Sequence, residues 1–139
     1  MRQLPLACAL FVSLAAQAQV KVEDPWVRAT VAPQKATGAF MQLTSDKPAR
    51  VVAASSPVAD MVEIHEMKME AGVMKMRAVD ALPLPAGQAV ALKPGSYHVM
   101  LMGLKRPIMA GATVPLTLTI EGADKQRSTV EVKAQARGK

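Results

Sequence analysis

Apolar and polar residues alternate with a period of two along short stretches of this chain, and turn-forming residues separate one stretch from the next. Residues 113–120 are the clearest case, reading Thr-Val-Pro-Leu-Thr-Leu-Thr-Ile. Such alternation sets one face of a strand against a core and the other in water. Strands are predicted over residues 20–31, 37–44, 50–55, 61–70, 73–79, 88–92, 97–102, 113–120 and 128–133. Ala71-Gly72, residues 93–96 and residues 121–125 are read as turns, and residues 103–112 as a loop. Residues 82–87 contain two prolines, which remove ladder donors, so they cannot form a central strand. The tail, residues 134–139, is expected to fray. Within the strands, Val62 and Ile64 oppose Glu63 and His65, and Val99 and Leu101 oppose His98 and Met100. No stretch has a convincing helical period. The expectation is an all-β fold, an antiparallel β-sandwich of about seven to nine strands.

The first eighteen residues stand apart from this pattern. Met1-Arg2-Gln3 is a short basic start, and Ala16-Gln17-Ala18 is a small-x-small cleavage pattern. The apolar run between them is roughly 12 residues, against the ~20 that a membrane-spanning helix needs. Residues 1–18 are therefore read as a signal peptide cut near Ala18-Gln19. Residues 19–139 are then a single exported domain with no stable membrane insertion. Pro5-Leu6-Ala7 makes Cys8 a poor lipidation site, and it lies early in the segment. Cys8 is the one cysteine of the chain, so the mature protein has no disulfide, no thiol nucleophile and no cysteine-based zinc site.

Charge narrows the partners. Of 17 Lys and Arg, Arg2 lies in the leader, leaving sixteen against 11 Asp and Glu, a difference of +5. The basic residues are scattered, in pairs at most, as at Lys105-Arg106. With one Trp, one Tyr and one Phe beyond the leader, there is no platform for stacking bases. No nucleic acid is expected as a ligand; a solvated basic surface favours an acidic protein partner. Trp26 is read as a core anchor and Tyr97 as structural packing.

The candidate chemistry lies in two distant segments, His65-Glu66-Met67-Lys68-Met69 and His98-Val99-Met100-Leu101-Met102, which hold both histidines of the chain. In each, a histidine and methionines occupy alternate positions, so a strand shows them as one stripe. Imidazole and thioether together are the donors of a soft metal, above all Cu(I). Alternate residues on a strand lie about 6.7 Å apart and neighbouring strands about 4.8 Å apart, so His98 and Met100 can reach one ion. His65 and Met76 complete a four-donor site if their strands lie alongside. The imidazoles bind only when neutral, so affinity should weaken below about pH 6.5. Met41, Met61 and Met109 are read as core packing, the commoner use of methionine. Met67, Met69, Met74 and Met102 share faces with the four donors and can shield the ion or substitute. No pair of carboxylates and no nucleophile–base arrangement is evident, so no enzyme is expected.

The spacing is His65, ten residues, Met76, twenty-one residues, His98, one residue, Met100. It resembles that of the periplasmic Cu(A) copper chaperones, the PCu(A)C family. Residues 97–107, Tyr-His-Val-Met-Leu-Met-Gly-Leu-Lys-Arg-Pro, look like that family's signature, and residues 115–120 continue the likeness. Residues 26–30 and 38–43 are similar to its N-terminal strands. The resemblance implies a cupredoxin-like β-sandwich with an exposed Cu(I) site whose ligands are His65, Met76, His98 and Met100. It also implies delivery of copper to the Cu(A) centre in subunit II of cytochrome c oxidase, directly or through a thiol-bearing copper-transfer protein, by a periplasmic monomer. Some relatives carry a C-terminal extension rich in His and Met that holds a second copper; residues 130–139 contain neither. Periplasmic copper buffering or resistance is the alternative use of the same site. A blue-copper electron carrier is disfavoured because its His₂Cys set needs a cysteine. A metal-free immunoglobulin-like interaction module accounts for the strands but not for the spacing.

Overall fold

A computed structural model describes residues 17–138 and shows ten strands with no helix among those residues. They are β1 (Val20–Arg28), β2 (Ala36–Ser45), β3 (Ala49–Ser55), β4 (Ala59–Glu70), β5 (Val73–Ala78), β6 (Leu82–Leu84), β7 (Val90–Leu92), β8 (His98–Leu104), β9 (Thr113–Gly122) and β10 (Arg127–Arg137). The strand order is β5-β4-β8-β2-β1-β10-β9-β3-β6, with β7 also pairing β2. Strands β3 and β4 lie far apart in that order yet pack together, as do β2 and β6. The sheet therefore folds over on itself into two facing layers, a β-sandwich. The strand beyond the expected nine is β6. It contains Pro83 and lies at the end of the order, where a missing ladder donor does least harm.

Alternation builds the core. Ile64, Val99, Leu101 and Leu43 come from one layer and Leu116, Leu118, Ile120 and Val132 from the other, all buried in one cluster. Fully burying a side chain of this size stabilises by about 1.5–3 kcal/mol. Ala71 and Gly72 both have positive φ, 50° and 78°. They are the two central residues of the turn between Glu70 and Val73, which are directly paired. That two-residue turn sets the register of the whole β4–β5 hairpin.

The sandwich is as expected, but three of its details are corrected. The sheet is mixed, because β1 and β10 run parallel, with Trp26, Val27 and Arg28 opposite Gln135, Ala136 and Arg137. The tail is therefore not frayed: β10 continues to Arg137, and Ala134 and Ala136 are 0% and 4% exposed. The period-two pattern of Val130 and Val132 runs on through these alanines, whose small side chains and low strand propensity hide it. The turn after β9 also begins later than expected. Glu121 is still in the strand and buried, held by Arg50 at 2.6 Å and Arg127 at 3.1 Å.

Candidate metal centre

Three strands assemble the site. In the β4–β8 pair, His65 lies opposite His98, Glu63 opposite Met100 and Met61 opposite Met102. In the β4–β5 pair, Met67 lies opposite Met76 and Met69 opposite Met74. Side chains of one parity therefore share one outer face, which gathers both histidines and seven methionines, while Ile64, Val99 and Leu101 point into the core. His65, Met76, His98 and Met100 are thus brought together on neighbouring strands.

The contacts define which atoms are free. His98 Nδ1 lies 3.2 Å from the carbonyl oxygen of Ser96, which can only accept, so this nitrogen carries the proton and donates it. In the neutral ring Nε2 is then a bare lone pair, and it lies 3.1 Å from the Met76 sulfur, another acceptor. His65 Nε2 lies 2.9 Å from a Glu63 carboxylate oxygen, which fixes its proton there, and the His65 Nδ1 atom is buried without a partner. The two rings stand 5.7 Å apart, centroid to centroid. Each imidazole has one nitrogen tied to an oxygen and the other bare, the arrangement in which histidines bind metals. Among the described residues no three His, Cys, Asp or Glu form a cluster fit for a metal, so any ion here depends on sulfur.

An open cavity of about 380 Å³ lies over His98, walled also by Met67, Met76, Met100, Arg28 and Phe40. Its floor depends on Gly38, which lies opposite Met100 on β2. A Cβ at Gly38 would stand 2.9 Å from the Phe40 ring, so only glycine lets that ring lie down over the strand. Phe40 is 6.2 Å from the His98 ring and 4.6 Å from Trp26, and the Arg28 guanidinium sits 5.5 Å above it.

Burial pushes the His98 pKa below 6.5, and its electrostatic interactions with His65 and Arg28 push the same way, against the Ser96 carbonyl. The bare Nε2 lone pair is thus kept as pH falls until the lowered pKa is reached. An NMR titration of the apo protein should place the His98 midpoint under 6.5; a midpoint at or above it contradicts this geometry.

Three expectations are corrected here. Trp26 is not a core anchor. It is half-buried on the outer face, stacked on Phe40, because a register shift between Glu23 and Trp26, where Asp24 has a positive φ of 47°, resets the parity of β1. Met61 and Met109 are not core packing either, being 54% and 70% exposed; Met61 shares the outer face with Met102, and Met109 lies in a loop. Met41 is buried in the core as expected. Glu63, Phe40, Arg28 and Met67 are members of the site that the sequence reading did not single out as such or left open. Glu63 and Met67 had a usable signal, since each is two residues from His65 and so of its parity.

The model of the LpqE-like lipoprotein family matches residues 20–132. The chain belongs to the LpqE-like family. This LpqE-like chain is 34% identical over 115 residues to a protein of Leifsonia xyli subsp. xyli that is named as a lipoprotein, Lxx21020. The match covers 82% of this chain and 69% of that one. Among solved structures, it is similar to CuI-DR1885 from Deinococcus radiodurans, with 36% identity, a TM-score of 0.64 and coverage of 88% and 81%. It is also similar to the copper-bound PCuAC domain from PmoF2, with 25% identity, a TM-score of 0.69 and coverage of 86% and 93%. The fold of the LpqE-like chain is that of these two structures.

Proposed function

We propose that this protein is a periplasmic copper chaperone. It holds one Cu(I) ion through His65, Met76, His98 and Met100 and delivers it to the Cu(A) centre in subunit II of cytochrome c oxidase, directly or through a thiol-bearing copper-transfer protein. The observation that carries the reading is the His98 Nε2 atom facing the Met76 sulfur at 3.1 Å, which in the neutral ring sets two lone pairs toward each other that a soft cation can share. The orphaned Nδ1 of His65, whose ring lies 5.7 Å from that of His98, supplies a third bare lone pair. Copper and Cu(I) in the names of the two similar structures support the choice of metal.

The protein's own residues account for holding and release. Glu63 and the Ser96 carbonyl orient the two rings, so binding does not have to order them. Thioethers carry no proton and compete weakly, and Met76 is 47% exposed. A partner's thiolate can displace Met76 first and the imidazoles after it, through an intermediate in which both proteins hold the ion. No group of the site is needed to make or break a covalent bond, so the role is transfer rather than catalysis. The domain that performs it is residues 19–139, exported as a monomer after cleavage of residues 1–18. Most of that leader lies outside the described residues, and no described helix is long and apolar enough to cross a membrane. The lipoprotein description of the family supports export. Mass spectrometry of the mature protein should find Gln19 at its N-terminus; a lipid-modified Cys8 would overturn that processing.

Titration with Cu(I) against a competing chelator should give a one-to-one complex, and X-ray absorption should find both nitrogen and sulfur around the metal. The absence of a stable complex, or of sulfur, would end the proposal. Replacing Glu63 with alanine should lower Cu(I) affinity by roughly 10–100-fold with the fold intact, as loss of an outer partner of a metal-bound histidine does. Gene deletion separates delivery from the alternative. Lost oxidase activity rescued by added copper favours delivery, whereas copper hypersensitivity with normal oxidase favours buffering or resistance.

A further inference from the structure

We propose that the tip of the β4–β5 hairpin is a second soft-metal site. Its donors are the sulfurs of Met69 and Met74 with Met67 as the third, and it receives Cu(I) ahead of the four-donor centre. The proposal rests on the soft-metal reading above for the identity of the cargo and on separate residues for the site.

The hairpin register puts Met69 directly opposite Met74, and Met67 opposite Met76. Opposed residues on one face have Cβ atoms about 4.5–5.5 Å apart, and diagonal neighbours such as Met67 and Met74 stay within reach of long side chains. Methionine has three rotatable bonds, so the three sulfurs can converge on one ion. Met69 is 59% exposed and Met74 44%, with Met67 half-buried. No residue from Met67 to Ala78 belongs to the core cluster, and every residue of β5 is exposed. These methionines therefore do not pack the core.

The charges of the hairpin show what its two faces are for. Glu66, Lys68, Glu70, Lys75 and Arg77 all fall on the other parity, where Arg77 pairs with Glu66 at 2.6 Å and Lys75 with Glu70 at 3.8 Å. An exposed edge strand is ordinarily protected by charge on whatever face meets water. Here one water-exposed face carries all of the charge and the other carries only thioethers, next to Ala78. The uncharged face leads inward, since Met76 is a donor of the four-donor centre and Met67 walls the same cavity as His98 and Met100. Successive rungs lie about 6.7 Å apart along the strands. An ion can thus pass from sulfur to sulfur while staying bound to the protein. It moves toward tighter binding, because the inner site adds two imidazoles to its thioethers.

The test uses the mature full-length protein carrying ¹³C-methyl methionine, titrated with Ag(I), a soft ion that does not change oxidation state. The first equivalent should shift the Met76 and Met100 methyls and the second those of Met69 and Met74. The variant M69L/M74L, which conserves volume, should bind one equivalent instead of two, with its thermal unfolding unchanged. Unmoved Met69 and Met74 methyls, or a second equivalent retained in M69L/M74L, would overturn the second site. Shifts at Met69 and Met74 without any at Met76 and Met100 would uphold it while removing the four-donor centre.

Discussion

Replacing His98 and Met100 together with alanine should abolish useful Cu(I) binding. Loss of a single outer partner already costs roughly 10–100-fold in metal affinity, and this variant removes two of four direct donors, so the fall should exceed about 100-fold. The remaining His65 and Met76 stand on different strands, and Met76 loses the imidazole it faces. The fold should survive. The core-facing residues of β8, Val99 and Leu101, are untouched and are 1% and 0% exposed. Typical substitutions cost about 0.5–3 kcal/mol each, against about 5–15 kcal/mol for a domain. Chelator competition and a thermal melt on the same sample separate the two effects. A folded variant that keeps its affinity within a few-fold would remove His98 and Met100 from the ligand set.

Deleting residues 134–139 should cripple the fold, although none of the four proposed ligands is removed. Gln135, Ala136 and Arg137 form the parallel ladder with Trp26, Val27 and Arg28. Three further backbone bonds go with them: Ala29 N–H to the Arg137 carbonyl, Gly111 N–H to the Ala136 carbonyl, and Ala136 N–H to the Ala112 carbonyl, each 2.8 Å. At about 1 kcal/mol net for each bond, with two buried alanines lost and Val27 uncovered, the deletion should cost on the order of 5 kcal/mol. That approaches the whole stability of a small domain. The Asp24–Arg137 ion pair at 2.6 Å is lost as well, but it is exposed and adds little. Denaturant unfolding measures the difference. A shift under about 1 kcal/mol would mean that the last strand ends near Lys133, as its weak propensity suggests.

The errors of the sequence reading share a cause with its successes. Parity along a strand is local, so the facing of Ile64, His65, Val99 and Met100 could be read without knowing any partner strand. Residue type misled where it stood in for parity: at Trp26, which the bulge between Glu23 and Trp26 turns outward, and at Met61, whose parity already matched His65. Ala134 and Ala136 were missed because their burial reflects partner strands, Val114 on β9 for Ala134 and, for Ala136, Val27 more than a hundred residues earlier in the chain.

Alternation alone was enough to decide that this chain makes short strands, and that its two histidines and the methionines beside them share stripes pointing away from the core. The Ala71-Gly72 turn also marked the hairpin whose register places Met67 opposite Met76. Only the tertiary structure decided that β4 pairs with β8 so that His65 meets His98, that Glu63 and Ser96 each hold one ring nitrogen, and that Phe40 lies down over Gly38 as the floor. Side-chain direction along a strand follows from the backbone of that strand. Which strand comes next, and in what register, follows from burying many apolar residues at once, and no local stretch of sequence contains that sum.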